Sequence, residues 1–137
     1  MPDQIKSNSG AYLLEIYAPK PFKIRKGRFE GLCLSEGYYY YAGSAQKNLR
    51  QRLERHLRKN KTLHWHIDYI TSLAGNKITN FWIFEDASKE TECRITQRLI
   101  LEFNLRSVIK GFGSSDCRNC ESHLLASGKV PLAGFSI

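Results

Sequence analysis

The decisive stretch of this sequence reads Tyr-Tyr-Tyr-Tyr-Ala-Gly-Ser-Ala over residues 38–45 and continues as Gln-Lys-Asn-Leu-Arg-Gln-Arg-Leu-Glu-Arg-His over residues 46–56. Tyrosine favours strands, and the glycine at position 43 is typical of a place where the backbone turns and can approach a ligand closely. The arginine-rich continuation has the leucine spacing of an amphipathic helix. We therefore predict a strand over 37–41, a turn at Gly43 and a helix from about 48 to 60.

Basic residues are concentrated in the first half of the chain. The net charge is +8, and residues 1–68 hold 13 Lys and Arg against six Asp and Glu. Residues 47–61 alone hold seven basic residues and one acidic residue. Such a field attracts polyanions with an affinity that falls as salt rises, which predicts a nucleic-acid partner. The alternative is a solvated helix face, although such a face usually mixes both signs of charge.

Length and composition indicate one domain that does not span a membrane. The 137 residues suffice for one substantial core, and no apolar run approaches the length of a membrane helix. The first residues lack the apolar segment of an export signal, so we expect a cytoplasmic location with reduced cysteines. We expect a single domain over 1–137, a flexible N-terminal arm over 1–9, and a monomer or weak dimer.

The rest of the chain alternates strand and helix signals. Apolar alternation predicts strands over 10–17 and 78–84, and a hairpin of 22–26 with 29–34. Further helices are predicted over 63–74, with Thr62 as N-cap, and over 89–105, with Ser88 as N-cap. The segment from Gly111 onward is predicted to be loop with a short helix or strand. The predicted fold class is α/β (α+β), a small mostly antiparallel sheet flanked by about three helices.

Two tyrosines are candidate functional residues. Alternate side chains of a strand share a face, so Tyr39 and Tyr41 point one way while Tyr38 and Tyr40 point the other. Tyr41 is favoured for function because it adjoins the predicted glycine turn, and Tyr12 is the candidate on the first strand. The alternative is that all these tyrosines simply pack in the core.

The basic helix has an internal order. Its predicted apolar stripe consists of Leu49, Leu53 and Leu57. Arg52, His56 and Lys59 line one shoulder of that stripe, where a guanidinium can clamp a phosphate in bidentate fashion. The alternative for Arg52 is a stem that covers apolar surface. Arg50 and Arg58 point elsewhere and are candidates for general phosphate contacts.

Glu92 is the candidate metal ligand. The apolar face of the predicted third helix consists of Ile95, Thr96, Leu99, Ile100 and Phe103, and Glu92 falls in line with it. A carboxylate aimed at a core is costly unless a cation or hydrogen-bond donors meet it. Glu92 is therefore predicted to hold a divalent metal at the base of a cleft or, alternatively, to form a structural ion pair.

Two further segments are rich in ligand-type residues. In His64-Trp65-His66 the helical wheel makes His66 a core residue and turns His64 toward the polar side, where it could face a substrate. The later loop carries a candidate zinc site, whose ligands would be Cys117, Cys120, His123 and, as a fourth, Cys93. A zinc ribbon normally has two Cys-x-x-Cys pairs and only one is present, so a loop that closes over the active site is the preferred reading.

The order of these residues along the chain resembles the GIY-YIG nuclease superfamily. The residues that carry the resemblance are Gly10-Ala11-Tyr12, Tyr41-Ala42-Gly43, Arg52, His56 and Glu92. The later segments 64–69, 112–117 and 122–124 are similar to a small single-domain prokaryotic branch of that superfamily. The similarity then covers nearly the whole chain.

The resemblance implies a metal-dependent endonuclease that hydrolyses phosphodiester bonds in DNA, in repair or recombination. It implies that Tyr12 is the general base or orients the attacking water, and that Tyr41 hydrogen-bonds the phosphate or the water. Arg52 would stabilise the transition state, Glu92 would bind one Mg²⁺ or Mn²⁺, and His56 completes the implied catalytic set. The implied substrate-binding residues are Gly43, Ser44, Lys47, Arg50, Arg55, Lys59, His64, Ser115 and His123.

The chain departs from the family pattern at three points. The gap between Tyr12 and Tyr41 is longer than the usual short hairpin, which implies an inserted strand pair. The isoleucines of both tripeptides are alanines. The late asparagine of many members has no clear counterpart, with Asn119, Ser122 or His123 as substitutes. A nucleic-acid-binding module without catalytic activity and a zinc-stabilised interaction domain therefore remain alternatives.

Overall fold

Two long antiparallel strands, β1 (Gly10–Ala18) and β4 (Gly37–Ala45), form the centre of the fold. The computed structural model describes residues 6–113 and 120–135. Within these residues β5 (Lys77–Glu85) pairs with β1, and β7 (Leu124–Gly128) pairs with β4. The short strand β6 (Arg106–Ser107) lies beyond β7, which gives the order β5-β1-β4-β7-β6 with antiparallel pairing throughout.

Three helices and a small hairpin accompany this sheet in the described part of the chain. The helix α1 (Leu49–Leu57) follows β4, α2 (Asp68–Thr71) is a single turn, and α3 (Thr91–Phe103) follows β5. Between β1 and β4, β2 (Phe22–Lys23) pairs with β3 (Cys33–Leu34) as a separate two-stranded unit. The predicted α+β class, a mostly antiparallel sheet with flanking helices, is confirmed.

The sheet buries both of its faces, and the alternation along β1 and β4 decides which helix each residue meets. On one face Tyr12, Tyr39 and Tyr41 join a core with Leu49 and Leu53 of α1. The core on the other face includes Ala11, Leu13, Tyr40, Ile95 and Leu99. The predicted division of the tyrosine run is confirmed, because side chains two residues apart in a strand share a face.

The predicted helix over 63–74 is wrong, because α2 is only four residues long. The cause is Asp68, whose Oδ2 accepts hydrogen bonds from the backbone N–H groups of His64 (2.9 Å) and Trp65 (2.8 Å). A side chain that satisfies these N–H groups competes with the helical ladder and favours a turn. Thr62 is not an N-cap either, since α2 begins at Asp68 and its N-cap position is Ile67.

The other two helices are shorter than predicted. The chain leaves α1 at Arg58, which has an extended ψ of 136°, and it leaves α3 at Asn104, which takes the left-handed conformation with φ 60°. Leu57 and Ile100, predicted to face the core, are 45% and 38% exposed. Leu57 therefore does not belong to the buried face of α1, and Ile100 does not belong to the buried face of α3.

Residues 6–9 are hydrogen-bonded to the body of the domain. The side chain of Asn8 accepts a hydrogen bond from the backbone N–H of Arg50. The backbone carbonyl of Asn8 accepts a hydrogen bond from the backbone N–H of Leu49. Asn8 thus caps the first turn of α1 from outside the helix. Residues 1–5 lie outside the described residues. Among the residues that are described, no helix has the length and apolarity needed to cross a membrane.

Candidate functional site

An open cleft of about 910 Å³ lies over one end of the β1–β4 pair. Eleven of the candidate functional residues singled out in the sequence line it, although they come from widely separated parts of the chain: Tyr12, Tyr41, Gly43, Ser44, Lys47, Arg52, His56, His64, Glu92, Cys93 and His123. Arg50, Arg55 and Lys59 are not among the lining residues, and Ser115 and Cys117 lie outside the described residues. The fold therefore brings most of the predicted site together in one place.

Gly43 has a different role from the predicted turn. It lies inside β4, directly opposite Tyr12 of β1, and the strand continues to Ala45. A Cβ at position 43 would lie 2.6 Å from Tyr12 Cζ and its hydroxyl oxygen, so any larger residue would displace the ring. The glycine is required by the close approach of the Tyr12 side chain, which places the Tyr12 hydroxyl in the cleft.

Tyr12 and His56 form a buried hydrogen-bonded pair. Their Oη and Nε2 atoms are 2.9 Å apart, and the two side chains are 2% and 1% exposed. Burial lowers the pKa of His56 to about 3, helped by the positive charge of Lys61, so the imidazole is neutral at pH 7. Burial and the neighbouring Tyr41 raise the pKa of Tyr12 well above its usual value. The phenol is therefore protonated in the free protein, and its O–H can donate to the neutral imidazole.

Arg52 provides a positive charge beside this pair. Its Nη1 donates to the backbone carbonyl of Ser44 (2.5 Å), and its guanidinium lies 4.6 Å from the centre of the Trp65 ring. Both contacts hold the charge at the mouth of the cleft. The same charge acts to lower the pKa of Tyr12 and Tyr41, against the larger effect of burial.

Glu92 faces the cleft from the first turn of α3 and not the core. Ser44 Oγ donates to its Oε2 at 2.5 Å, and His123 Nδ1 lies 3.5 Å from its Oε1. His123 is 4% exposed, and its Nδ1 has no hydrogen-bond partner among the residues that the structure describes. A carboxylate with one hydroxyl donor and an open side is a hard oxygen ligand of the kind that Mg²⁺ and Mn²⁺ use.

A second group of metal-ligand atoms lies next to Glu92. Cys93, Cys120 and His123 each offer an atom, and all three atoms lie within 4.8 Å of one another, close enough to hold a metal ion. Cys93 is disulfide-bonded in this structure, which differs from the expected reduced cysteines, so its sulfur becomes a thiolate ligand only on reduction. His123 Nε2 and Cys93 Sγ are 3.8 Å apart. His123 thus faces Glu92 with one ring nitrogen and the sulfur atoms with the other. Cys117, the remaining predicted ligand, is outside the described residues.

Arg55 and Lys59, predicted to bind substrate, make their contacts inside the protein. Arg55 donates to both carboxylate oxygens of Asp68 at 2.9 Å, while Lys59 donates to the carbonyls of Thr71 and Leu73, each at 2.8 Å. The backbone N–H of Arg50 donates a hydrogen bond to Asn8 Oδ1. These three basic residues therefore stand apart from the cleft.

Asp68 is the residue that the sequence did not reveal. It is fully buried, it pairs with Arg55, and its Oδ1 is 3.9 Å from Lys61 Nζ. We call Asp68, Arg55 and Lys61 the buried ion cluster. Despite burial, the hydrogen bonds from Arg55 and two backbone N–H groups hold the pKa of Asp68 below its usual value. In a helical wheel Asp68 falls on the same polar side as His64, and helical periodicity carries no information about a partner from another element.

The comparison with protein families covers nearly all of these residues. A family model described as "Domain of unknown function DUF123" matches residues 11–133. The chain belongs to this family. No curated protein and no solved structure matches it. The family description names no activity, so function has to be inferred from the chemistry of the cleft.

Proposed function

We propose that the protein is a metal-dependent endonuclease of the GIY-YIG type that hydrolyses phosphodiester bonds in DNA. The observation that carries the proposal is the convergence of Tyr12, Tyr41, Arg52, His56 and Glu92 on one open cleft. These side chains span 81 positions of the chain, and at the edge of the core the two buried phenols meet a guanidinium and a carboxylate that the packing of the core does not require. They supply a proton acceptor, a cation for a phosphate and a hard metal ligand in one place.

Proton transfer in this cleft would use the Tyr12–His56 pair. Tyr12 takes a proton from the attacking water while its own proton passes to His56 Nε2, 2.9 Å away. A neutral imidazole is the form that can accept that proton, and burial keeps His56 neutral by lowering its pKa. Because Tyr12 gains one proton as it gives up another, the phenol stays neutral and the positive charge appears on His56. Burial opposes that charge, so negative charge on the attacked phosphate has to stabilise it.

Charge on the phosphate would be met by Arg52 and by a divalent ion at Glu92. Glu92 accepts a hydrogen bond from the Ser44 hydroxyl and faces the open side of the cleft, so it keeps oxygen lone pairs for an ion that retains several waters. Such an ion, when bound, neutralises phosphate charge and lowers the pKa of bound water. Arg52 is already held by Ser44 and Trp65, so little reorganisation is needed when negative charge develops.

The proposal is tested by incubating the protein with plasmid and with branched or flapped DNA in the presence of Mn²⁺ or Mg²⁺. Tyr12→Phe removes one hydroxyl and Glu92→Gln one charge, so both should abolish cleavage while nucleic-acid binding stays within a few-fold. The matched control is Glu102→Gln, an exposed carboxylate on the same helix that pairs with Arg98. Equal losses of binding and cleavage in the Tyr12 and Glu92 variants would indicate a binding module without catalysis.

A zinc-stabilised interaction domain is the second candidate, and the Cys93, Cys120 and His123 group favours it. Once the Cys93 disulfide is reduced, two thiolates and an imidazole suit zinc better than magnesium. Metal analysis of protein purified under reducing conditions decides this candidate. Stoichiometric zinc that is lost in Cys120→Ser, and retained with the exposed Cys33→Ser control, would support it. If the protein carries zinc and does not cut DNA, the zinc-stabilised interaction domain replaces the nuclease as the proposed function.

A further inference from the structure

The segment between β1 and β4 carries a second concentration of positive charge. Its five basic residues are Lys20, Lys23, Arg25, Lys26 and Arg28, all of them exposed. We call residues 20–34 the basic hairpin. Glu30 is its one acidic residue, and among the described residues none of the five basic side chains forms an ion pair. This surface is separate from the basic residues of α1.

The basic hairpin is held firmly against the domain. Ile24 and Leu34 are buried in the same core as Tyr12, and backbone hydrogen bonds join Ile24 to Gly31 (2.8 Å) and Leu32 (2.9 Å). At its tip Gly27 lies on the Tyr69 ring, where a Cβ would be 3.0 Å from Cζ. A fixed backbone presents its charges in a constant arrangement, so less ordering entropy is lost when a polyanion binds.

Direct contacts connect this hairpin to the wall of the cleft. The Phe29 ring packs edge-on against His66, with centroids 4.9 Å apart, and His66 Nδ1 accepts a hydrogen bond from Gly113 N at 2.9 Å. Both His66 and Gly113 line the cleft. The charge of Arg28 also reaches His66, since it adds to the burial that lowers the pKa of this imidazole. Positive potential therefore extends from the hairpin to the cleft wall.

We propose that the basic hairpin is a second contact for the nucleic-acid backbone, which it holds where a duplex runs out of the cleft past the Phe29–His66 contact. The inference rests on the proposed function, because it takes DNA as the occupant of the cleft. Exposed, unpaired cations on a fixed surface beside the cleft match the repeating charge of a phosphate backbone. The hairpin contributes affinity and position and takes no part in bond cleavage.

The test is a double variant, Arg25→Gln with Lys26→Gln, measured against a matched control, Arg94→Gln with Arg106→Gln. Both doubles remove two exposed positive charges, and the control residues lie on α3 and β6. The probe is a labelled duplex of about 30 base pairs, roughly 100 Å long at 3.4 Å per step. Binding is titrated over a series of salt concentrations. The hairpin variant should bind several-fold more weakly, with a log–log salt slope smaller by about 2, while the control changes little.

Three results would decide the matter. A loss confined to the hairpin variant, with its cleavage rate at saturating DNA and its melting temperature unchanged, supports the inference. Wild-type protein that binds and cuts DNA, together with equal behaviour of both doubles, overturns the hairpin contact and leaves the nuclease proposal intact. Wild-type protein that binds no DNA at low salt overturns the proposed function itself.

Discussion

Arg52 and Arg55 lie one turn apart on α1 and belong to two different regions. Arg52 lines the open cleft, where it is held by the Ser44 carbonyl and the Trp65 ring. Arg55 also contacts this ring, at 4.5 Å, but its hydrogen bonds go to the buried Asp68 and to the Thr62 carbonyl. Two cations thus contact one indole, and one of them is available to a ligand while the other holds the fold. Basic residues on one helix cannot be counted as one nucleic-acid surface.

The largest effect is expected when the buried ion cluster is broken. Asp68→Asn removes the carboxylate that Arg55 and Lys61 share and weakens two backbone contacts, so we expect a loss of about 3–5 kcal/mol of unfolding free energy. Burial already lowers the pKa of Lys61 to about 8, and Asp68 opposes that shift. Lys61 should therefore lose its proton more readily in the variant. Urea denaturation measures the change, and the exposed Glu54→Gln on α1 is the control.

The next effect separates the two arginines directly. Arg52→Ala should slow cleavage about 100- to 1,000-fold, as expected when one preorganised donor to the transition state is removed, with little change in stability. Arg55→Ala should instead lower stability and leave the cleavage rate of the folded protein close to wild type. Single-turnover cleavage and thermal melts, run on both variants, give the answer. The same phenotype in both variants would contradict the division between cleft and buried ion cluster.

A steric change in the cleft should have a smaller effect on stability. Gly43→Ala places a Cβ 2.6 Å from the Tyr12 ring, and such overpacking costs about 1–3 kcal/mol. The displaced ring should also lose its hydrogen bond to His56, so cleavage should fall. Gly75→Ala is the matched control, because no atom lies within 4 Å of a Cβ at that position. A Gly43→Ala protein with wild-type stability and activity would show that Tyr12 does not depend on this close approach.

The smallest expected effect is a pH dependence that comes from His56. Its pKa is about 3 in the folded protein against 6.5 as the ordinary value, so the unfolded chain binds more protons between these values. The free energy of unfolding should therefore decrease as pH falls, by about 1 kcal/mol between pH 6 and pH 5 from this residue alone. His56→Gln should show a shallower decline than wild type. The exposed His64→Gln serves as control, and an unchanged slope in His56→Gln would mean that His56 is not buried neutral.

Local periodicity predicted the framework well. The strand alternation of residues 38–41 divided the tyrosines between the two faces as observed, and the position of Glu92 relative to Ile95 marked it as unusual. Local periodicity failed where a contact with a residue from elsewhere in the chain determines the local structure. Asp68 ended the predicted second helix by accepting hydrogen bonds from the residues before it. Gly43 was predicted to form a turn because no local sequence signal distinguishes a glycine inside a strand from a glycine in a turn.

Residue order and side-chain periodicity, which depend only on neighbours along the chain, determined the three long strands, the α+β class and the candidate residues Arg52 and Glu92, while the role of Tyr12 came from the family resemblance. The antiparallel register of β1 with β4 decided that Tyr12 lies over Gly43 and reaches His56. Packing around Trp65 decided that Arg52 faces the cleft while Arg55 turns to Asp68. The roles of Tyr12, Arg52 and Arg55 depend on which residues from distant parts of the chain contact each side chain. Burial and pairing with those residues determine the protonation state of the side chain and its availability to a ligand. Tertiary structure alone supplies that information.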